Sequence, residues 1–432
     1  MKRPPKRIGL FGVFGCGNSG NDGSLEAMLT FLQGLRPDAN LTCICPEPDK
    51  VRQDYRVFAL LDRPSSTDFN AFVRRLNRRL HILGWIYTIR QVRKLDLLII
   101  PGTGILDDYR TGPWGIPYVL FRWCLSAKLS GTEVWFVSIG AGPIHNPLSR
   151  WLMKRAAAVA QYRSYRDTVS REFMMSVGFD ARTDPVYPDL AFRLPAPKCL
   201  APRRADGEAL AVALGVMSYG GWRHGADRGM DIFAGYLQKV TRFLIWLLDH
   251  GYNVRILTGE TSDQHAVQEL MSAVAAEGRI VPPERLVAEP ILSLHDVMRQ
   301  IALTDIVVAT RFHNVVCALK LGRPTISIGY ANKNDALLAD MGLGDFCQHI
   351  ERLDVDLLIK QFITLADERE EHEQRIREAN RAYQQRLAQQ DALLASKLSP
   401  RSEVVHDDLF DARAALSPQD RRKLPEGLES RD

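Results

Sequence analysis

Three cationic side chains lie where apolar segments of the chain meet. Arg311 and His313 follow the apolar stretch 306–309 and precede another apolar stretch, 315–321. Lys333 comes shortly after the next strand-like segment. The first stretch is typical of a buried strand and the second of a buried helix. Because the start of a helix offers free backbone N–H groups and a favourable dipole, the spacing predicts a site for an anionic substrate.

These residues need a framework that brings the ends of strands together. Strand-like and helix-like segments alternate along most of the chain, which is typical of a parallel sheet with helices on both faces. In the first half, the pattern predicts strands at 7–13, 40–45, 96–100, 133–139 and 161–165 and helices at 24–35, 69–93, 115–130, 147–158 and 168–177. In the second half, it predicts strands at 210–216, 253–258, 285–288, 305–309 and 324–328 and helices at 230–250, 262–277, 293–302 and 314–321. The sequence therefore predicts an α/β protein.

The two halves are separated by 196–208, a proline-rich, charged and aperiodic stretch that is typical of a linker. A chain of 432 residues usually forms two domains, since single cores seldom exceed about 250–300 residues. We therefore predict two Rossmann-like doubly wound domains, 1–195 and 209–350, that face a central cleft. Apolar residues at helical spacing predict a long C-terminal helix at 351–398, and the loose, charged composition of 399–432 predicts a disordered tail.

Bulk composition excludes several functional classes. The net charge of +5 is too mild for this length to indicate a nucleic-acid partner. Seven cysteines without a CxxC pair are typical of a reducing cytoplasm and predict no zinc site. The basic start before the apolar stretch 8–14 resembles a signal peptide, but a first strand followed by a glycine-rich turn is the better interpretation. No apolar segment reaches the roughly 18 residues needed to cross a bilayer.

Polar side chains also occupy the predicted loops at the carboxyl ends of the first-half strands, where open α/β sheets bind ligands. Asn18, Asn21, Asp22 and Asp107 lie in two glycine-rich loops. Tight turns explain most of the glycines, and helix capping explains part of the polar residues. Arg166 follows a later strand, where it either pairs with a neighbouring carboxylate or points as a cation into the cleft. The pattern leaves both alternatives open.

Further motifs occur in these loops in a defined order. They read Asn18-Ser19-Gly20-Asn21 followed by Asp22, Gly102-Thr103-Gly104 with Asp107, Arg166-Asp167-Thr168-Val169-Ser170, and Pro188-Asp189-Leu190-Ala191-Phe192. The most specific run is Arg311-Phe312-His313, Gly322-Arg323-Pro324 and Tyr330-Ala331-Asn332-Lys333. Together these motifs resemble the polysaccharide pyruvyl transferase family over Ile8 to Leu343. Three positions depart from the family pattern, since Asn21 replaces an aspartate, Thr103 a glycine and Phe312 a leucine.

The resemblance implies a fold of the GT-B type and the transfer of pyruvate from phosphoenolpyruvate to a sugar. The product would be a cyclic ketal across two hydroxyls of a polysaccharide or a lipid-linked oligosaccharide, with release of phosphate. Neither a metal nor another cofactor is expected, because cationic side chains can neutralise the leaving phosphate.

The donor carries a carboxylate and a phosphate, so its site needs several cations. We expect Arg166 and Arg311 to hold these groups with their planar guanidinium forks, and Lys333 to add a phosphate contact. Phe312 is expected to contact the donor as well. His313 is our candidate for the general acid and base, since an imidazole titrates near neutral pH, and Arg311 is its catalytic neighbour.

The first-half loops would then face the acceptor sugar. Carboxylates and amides are good partners for hydroxyls, so we expect acceptor contacts from Asn18, Asn21, Asp22 and Asp107. One of the carboxylates would help to deprotonate the attacking hydroxyl.

Two other functions compete with this prediction. A glycosyltransferase that uses a nucleotide sugar could share the fold, but such enzymes commonly hold the ribose with a glutamate, and no acidic residue occurs from Arg311 to Asn334. A non-catalytic carbohydrate-binding protein would have little reason to keep Arg311, His313 and Lys333 together.

A basic, acid-free segment at 69–94 bears on location. It is either an amphipathic helix with a solvated basic face or a surface that rests on anionic lipid, where lipid-linked acceptors are found. We predict a cytoplasmic protein, and the second alternative would place it at the inner face of the cell membrane.

Overall fold

Two parallel sheets of six strands each form the framework of the molecule. The computed structural model describes residues 5–64, 82–108, 111–198, 208–221 and 226–398. We call the elements around the first sheet the first domain and those around the second sheet the second domain.

The first sheet comprises Arg7–Phe11 (β1), Asn40–Cys45 (β2), Phe58–Leu61 (β3), Leu97–Pro101 (β4), Glu133–Ile139 (β5) and Tyr162–Tyr165 (β6). Its strands lie in the order β3-β2-β1-β4-β5-β6, and in register Ile8 of β1 lies opposite Leu41 and Leu97. The described helices around it are Ser19–Leu35 (α1), Pro48–Tyr55 (α2), Ile82–Val92 (α3), Ile116–Leu129 (α4), Pro147–Ala158 (α5) and Thr168–Ser176 (α6).

The second sheet comprises Ala211–Gly215 (β7), Asn253–Leu257 (β8), Leu286–Val287 (β9), Ile306–Ala309 (β10), Thr325–Gly329 (β11) and Cys347–His349 (β12). Its order, β12-β11-β10-β7-β8-β9, repeats the topology of the first sheet. The helices described here are Ala226–Asp249 (α7), Gln264–Ala276 (α8), Leu294–Ala302 (α9), Phe312–Lys320 (α10) and Asn332–Asp340 (α11). The predicted α/β class with two doubly wound sheets is therefore confirmed.

Each sheet has one crevice at which the strand order reverses. In the first sheet it lies between β1 and β4, and in the second between β7 and β10. Both β4 and β10 are buried along their whole length, which explains their continuous apolar sequences. The loops that leave these strands carry Asp107 and Arg311, so the topology places these two residues at the crevices.

Four elements were not predicted. The strand β3 has only four residues, and its Phe58 is exposed, so no alternation marks it. In α2 only Val51 is buried, which leaves no helical periodicity to detect. The helix α11 begins with polar residues and β12 is three residues long. As a consequence, Lys333 lies in the first turn of a helix and not in a loop.

The predicted C-terminal helix is two helices, Val355–Asp367 (α12) and Arg369–Leu398 (α13), separated at Glu368. With 30 residues, α13 is about 45 Å long and reaches from the second domain to the first. Asn380, in the first half of this helix, donates to the Leu319 carbonyl, and Arg36 donates to the Leu398 carbonyl at its end. The helix therefore ties both domains together.

Several predictions concern residues that lie outside the part of the chain that the structure describes. These are the disordered tail at 399–432, most of the linker at 196–208, and the first part of the helix predicted at 69–93. The second part of that helix is α3.

Candidate functional site

A cleft of about 300 Å³ lies between the carboxyl ends of the two sheets. First-domain residues Asn18, Asn21, Asp107 and Arg166 line it, together with Arg311, Phe312, His313 and Lys333 from the second domain. The structure thus brings together all the predicted site residues except Asp22. This volume is at the lower end of the range for small-molecule sites, roughly 300–1,000 Å³.

His313 is the second residue of α10, so its position follows from the switch between β10 and that helix. Its Nε2 lies 3.7 Å from Oδ2 of Asp189 and makes no hydrogen bond within the described residues. Asp189 is buried, and its Oδ1 accepts a hydrogen bond from the Ala191 amide. A fixed carboxylate therefore faces one nitrogen of the imidazole.

The charge of Asp189 is stabilised despite its burial. Burial alone raises the pKa of this carboxyl, but His313, Arg166 and the Ala191 amide together hold the pKa below its ordinary value. Asp189 is therefore an anion at neutral pH.

The other side of the imidazole packs on the first turn of α1. A Cβ atom at Gly20 would lie 1.9 Å from Nδ1 of His313, so only glycine leaves room for the ring. Since Gly20 and Asp189 belong to the first domain, the surroundings of His313 are complete only when the domains are together.

Arg166 realises both alternatives that its sequence left open. Its Nη1 lies 3.2 Å from Asp189 and its Nε 3.5 Å from Asp167, yet the residue also lines the cleft. The Nε makes no hydrogen bond within the described part of the chain. The guanidinium carbon lies 4.5 Å from the ring centroid of Phe312. A buried cation with free donor capacity therefore faces the cleft.

Lys333 also lies beside Phe312 in the cleft. Its Nζ lies 5.4 Å from the ring centroid of Phe312 and 5.2 Å from that of Tyr330. Among the residues that the structure describes, no carboxylate lies within salt-bridge distance of this ammonium group. Two cations thus lie close to the Phe312 ring, and of these Lys333 is the one whose charge no described carboxylate offsets.

Arg311 is placed differently from Arg166 and Lys333. Its Nε and Nη2 lie 2.9 and 2.6 Å from the Asp263 carboxylate. Its Nη1 and Nη2 lie 2.8 and 2.9 Å from the Glu260 carboxylate. Burial lowers the pKa of Arg311, but Asp263 and Glu260 more than compensate and raise it. Two carboxylates thus form salt bridges with the guanidinium group that we expected to hold the donor.

The loop before α1 meets the loop after β8 across the cleft. Asn18 caps α1 by accepting from the amides of Gly20 and Asn21, and its Nδ2 donates to Glu260 at 2.7 Å. The Ser19 amide and hydroxyl both donate to the Gly259 carbonyl. Asn18 therefore joins the domains in addition to lining the cleft.

The remaining predicted acceptor residues separate into two groups. Asn21 lines the cleft while its Nδ2 donates to the Val13 carbonyl, and Asp107 lines the cleft as well. Asp22 does not reach this cleft, because its Oδ1 accepts from the Gly15 amide and it lines a separate pocket with Glu26. Burial raises the pKa of Asp22.

Sequence reasoning missed three charged residues. Asp189 stands in the Pro188-Asp189 motif, which was a signal for it, while Glu260 and Asp263 follow β8 without a recognised motif. Within the described ranges, no three His, Cys, Asp or Glu side chains are grouped so that they could hold a metal ion.

Known structures share the fold of this chain. UDP-GlcNAc 2-epimerase from Neisseria meningitidis, bound to UDP-GlcNAc, superposes with a TM-score of 0.55 at 11% identity, covering 91% of this chain and 99% of that one. HepE from Anabaena, in complex with UDP and glucose, gives a TM-score of 0.53 at 11% identity and covers 90% and 98%. UDP-GlcNAc 2-epimerase from Methanocaldococcus jannaschii gives 0.53 at 11% identity and covers 82% and 91%. At such low identity these similarities establish the GT-B type of fold alone.

Sequence comparison identifies the family. No curated protein matches this chain. The family model described as polysaccharide pyruvyl transferase matches residues 18–332, which is most of the chain and contains nearly all the motifs. The resemblance predicted from the motifs is thereby confirmed, and the chain belongs to the polysaccharide pyruvyl transferase family.

Proposed function

We propose that the protein transfers pyruvate from phosphoenolpyruvate to two hydroxyls of a glycan sugar, with formation of a cyclic ketal and release of phosphate. The observation that carries the proposal is the convergence of Arg166, His313 and Lys333 on one small cleft between the sheets. Family membership supports the transferase class. Carboxylate and phosphate groups need cations of this kind.

In the proposed complex, Arg166 and Lys333 bind the two anionic groups of the donor. Their cationic groups lie 4.5 and 5.4 Å from the centroid of the Phe312 ring, which suits a compact molecule with two anionic groups. Lys333 is the better candidate for the phosphate, since its charge is not offset and an ammonium group binds phosphate as a point charge. Arg311, held by Asp263 and Glu260, is a positioning residue that fixes the start of α10.

His313 supplies the proton that begins the reaction. The protonated imidazole transfers a proton to the methylene carbon of phosphoenolpyruvate, and the C2 centre becomes oxocarbenium-like. A first sugar hydroxyl forms a bond to C2 and loses its proton to His313. The bond between C2 and the phosphate oxygen then breaks, and a second hydroxyl closes the ring. One of the two hydroxyl protons returns His313 to its protonated state. The other hydroxyl proton leaves with phosphate.

Asp189 stabilises the imidazolium state between these steps. Its carboxylate lies 3.7 Å from Nε2 of His313, which is close enough for an electrostatic interaction. Asp107 and Asn21 line the first-domain side of the cleft and would hold the acceptor hydroxyls. Asp22 is not part of this proposal, because it lines another pocket.

The proposal is tested in two steps with the full-length protein. Calorimetric titration with phosphoenolpyruvate requires no acceptor, and we expect binding that is lost at high salt. Incubation with phosphoenolpyruvate and candidate glycans should then release inorganic phosphate. Absence of phosphoenolpyruvate binding, combined with release of a nucleoside diphosphate from a nucleotide sugar, would favour a glycosyltransferase and refute the proposal.

A further inference from the structure

We propose that the outer face of α3, α4 and α5 docks the protein on an anionic lipid bilayer, so that the acceptor is a lipid-linked glycan. The identity of the acceptor rests on the proposed function. The docking face consists of residues outside the catalytic cleft.

Large apolar side chains are exposed on this face. Ile82 and Ile86 of α3 are 50% and 44% exposed, and Trp151 of α5 is 46% exposed. An aromatic row connects the three helices, since the ring centroids of Trp85 and Phe121 lie 6.3 Å apart and those of Phe121 and Trp151 lie 5.5 Å apart. The exposed apolar groups thus form one continuous patch, unlike the scattered apolar residues of an ordinary surface.

The charged side chains on these three helices are all basic. The three helices contain no aspartate or glutamate, whereas Arg90, Lys128 and Arg155 are exposed on them. Asp108, which lies near the start of α5, accepts from the backbone amides of His145 and Asn146. An apolar patch with a basic border is complementary to anionic headgroups above acyl chains.

Helix α4 connects the patch to the acceptor side of the cleft, because it carries Phe121 of the aromatic row and begins at Ile116. Thr111 and Ile116, which precede and begin α4, line the cleft together with Asp107. Trp114 lies between them in the chain and is 61% exposed. A glycan whose lipid end stays in the bilayer under the patch would therefore extend past Trp114 to Asp107.

A bilayer explains this combination better than a protein partner does. Tryptophan is enriched where a protein meets the membrane interface, and exposed arginine at the border of a patch suits headgroup phosphates. None of the helices in the described ranges is long and apolar enough to cross a membrane. The described part of the predicted segment 69–94 contributes α3 to this face, and α4 and α5 enlarge the surface that the sequence indicated.

Co-sedimentation with vesicles tests the apolar part. We expect the full-length protein to bind vesicles of phosphatidylglycerol and phosphatidylcholine at low salt, and not vesicles of phosphatidylcholine alone. Ile86→Glu and Trp151→Glu should each lower the partition coefficient roughly tenfold or more. Each substitution removes an apolar side chain that would insert into the bilayer and adds a negative charge that the anionic lipid repels. Ile280→Glu is the matched control, because Ile280 is 99% exposed but lies in the second domain. This variant should bind the vesicles as the wild type does.

The basic border is tested in the same assay. Arg155→Glu should weaken binding roughly tenfold, whereas Lys360→Glu, an exposed lysine on α12, should leave it unchanged. Circular dichroism confirms that each variant is folded.

Three results would overturn the docking proposal: no binding to anionic vesicles at low salt, equal binding by the patch variants and the wild type, or a solution dimer that Trp151→Glu dissociates. In each case phosphate release from phosphoenolpyruvate with a water-soluble acceptor is measured in parallel. If phosphate is still released but the protein does not bind the vesicles, only the proposed membrane surface is refuted. If the wild-type protein does not bind phosphoenolpyruvate at all, the proposed function itself is refuted.

Discussion

The imidazole of His313 is the group on which the proposed chemistry depends most. Replacement by alanine removes the proton donor but deletes a side chain from a cleft and not from the core. We therefore expect His313→Ala to lower turnover by roughly 10²–10⁴-fold while the thermal midpoint stays close to that of the wild type. Phosphate release and differential scanning calorimetry measure the two quantities. Turnover near the wild-type rate would show that another group transfers the proton.

Lys333 should determine affinity for the donor. We expect Lys333→Met to weaken phosphoenolpyruvate binding by roughly 10–100-fold, since a hydrogen bond to a charged group contributes about 1.5–3 kcal/mol. The matched control is Lys360→Met, because Lys360 is an exposed lysine on α12, outside the residues that line the cleft. Equal calorimetric affinities for the two variants would place the phosphate away from Lys333.

Asp189 links the site to the stability of the fold at acid pH. Because its pKa is lower in the folded protein than in the unfolded chain, its contribution is present above the unfolded value of about 3.9 and is lost as pH falls through the folded value. We expect the unfolding free energy of Asp189→Asn to be below that of the wild type at neutral pH. The difference should shrink below about pH 4, as denaturant titrations at several pH values can show. A difference that is independent of pH would mean that Asp189 is not charged.

Residue types alone identified much of the site but not its ion pairs. The cations Arg166, His313 and Lys333 could be found because each follows a predicted strand of a parallel sheet. The partners Asp189, Glu260 and Asp263 could not be assigned in this way. Which carboxylate meets which cation depends on how one domain packs on the other, and no local pattern encodes that packing.

At the scale of elements, the first turn of α1 is matched to the imidazole of His313. We expect Gly20→Ala to reduce turnover strongly, because the new methyl group would lie where Nδ1 of His313 now lies. Gly34→Ala in the same helix meets no atom within 4 Å and should stabilise the protein by about 0.5–1 kcal/mol through helix propensity. Turnover and thermal midpoints of the pair separate the two effects, and full activity of Gly20→Ala would contradict the described packing.

The predictability of the elements follows their burial. Buried strands such as β4 and β10 appear as continuous apolar runs, and amphipathic helices such as α9 show clear periodicity. Elements that bury little, such as α2 with Val51 alone, leave no such signal. The break between α12 and α13 was also missed, because no proline or glycine marks it, although the sequence changes there from apolar-rich in α12 to polar in α13.

At the scale of the whole molecule, the site exists only while the two domains are joined. Glu26 of α1 and His295 of α9 form an ion pair across this junction, with Nε2 and Oε1 2.6 Å apart. The hydrogen bond to Glu26 raises the pKa of His295. The contribution of this pair to stability is therefore complete below the unfolded pKa of about 6.5 and is lost as pH rises through the folded value.

We accordingly expect His295→Gln to lower the unfolding free energy more at about pH 6 than at about pH 9. Denaturant titrations of the full-length protein provide the values. His250→Gln is the control, because His250 lies on the surface at the end of α7 and outside the junction. A cost that is equal at both pH values would mean that the pair is not an ion pair in solution.

The proposed function requires that phosphoenolpyruvate binds in the cleft between the sheets through Arg166 and Lys333, beside His313. A crystal structure of the full-length protein soaked with phosphoenolpyruvate tests it most directly. We predict density for the donor over Phe312, with its phosphate and carboxylate within hydrogen-bond distance of Lys333 and Arg166 and its methylene carbon facing His313. Donor density elsewhere on the molecule, or an empty cleft at saturating concentration, would contradict the account.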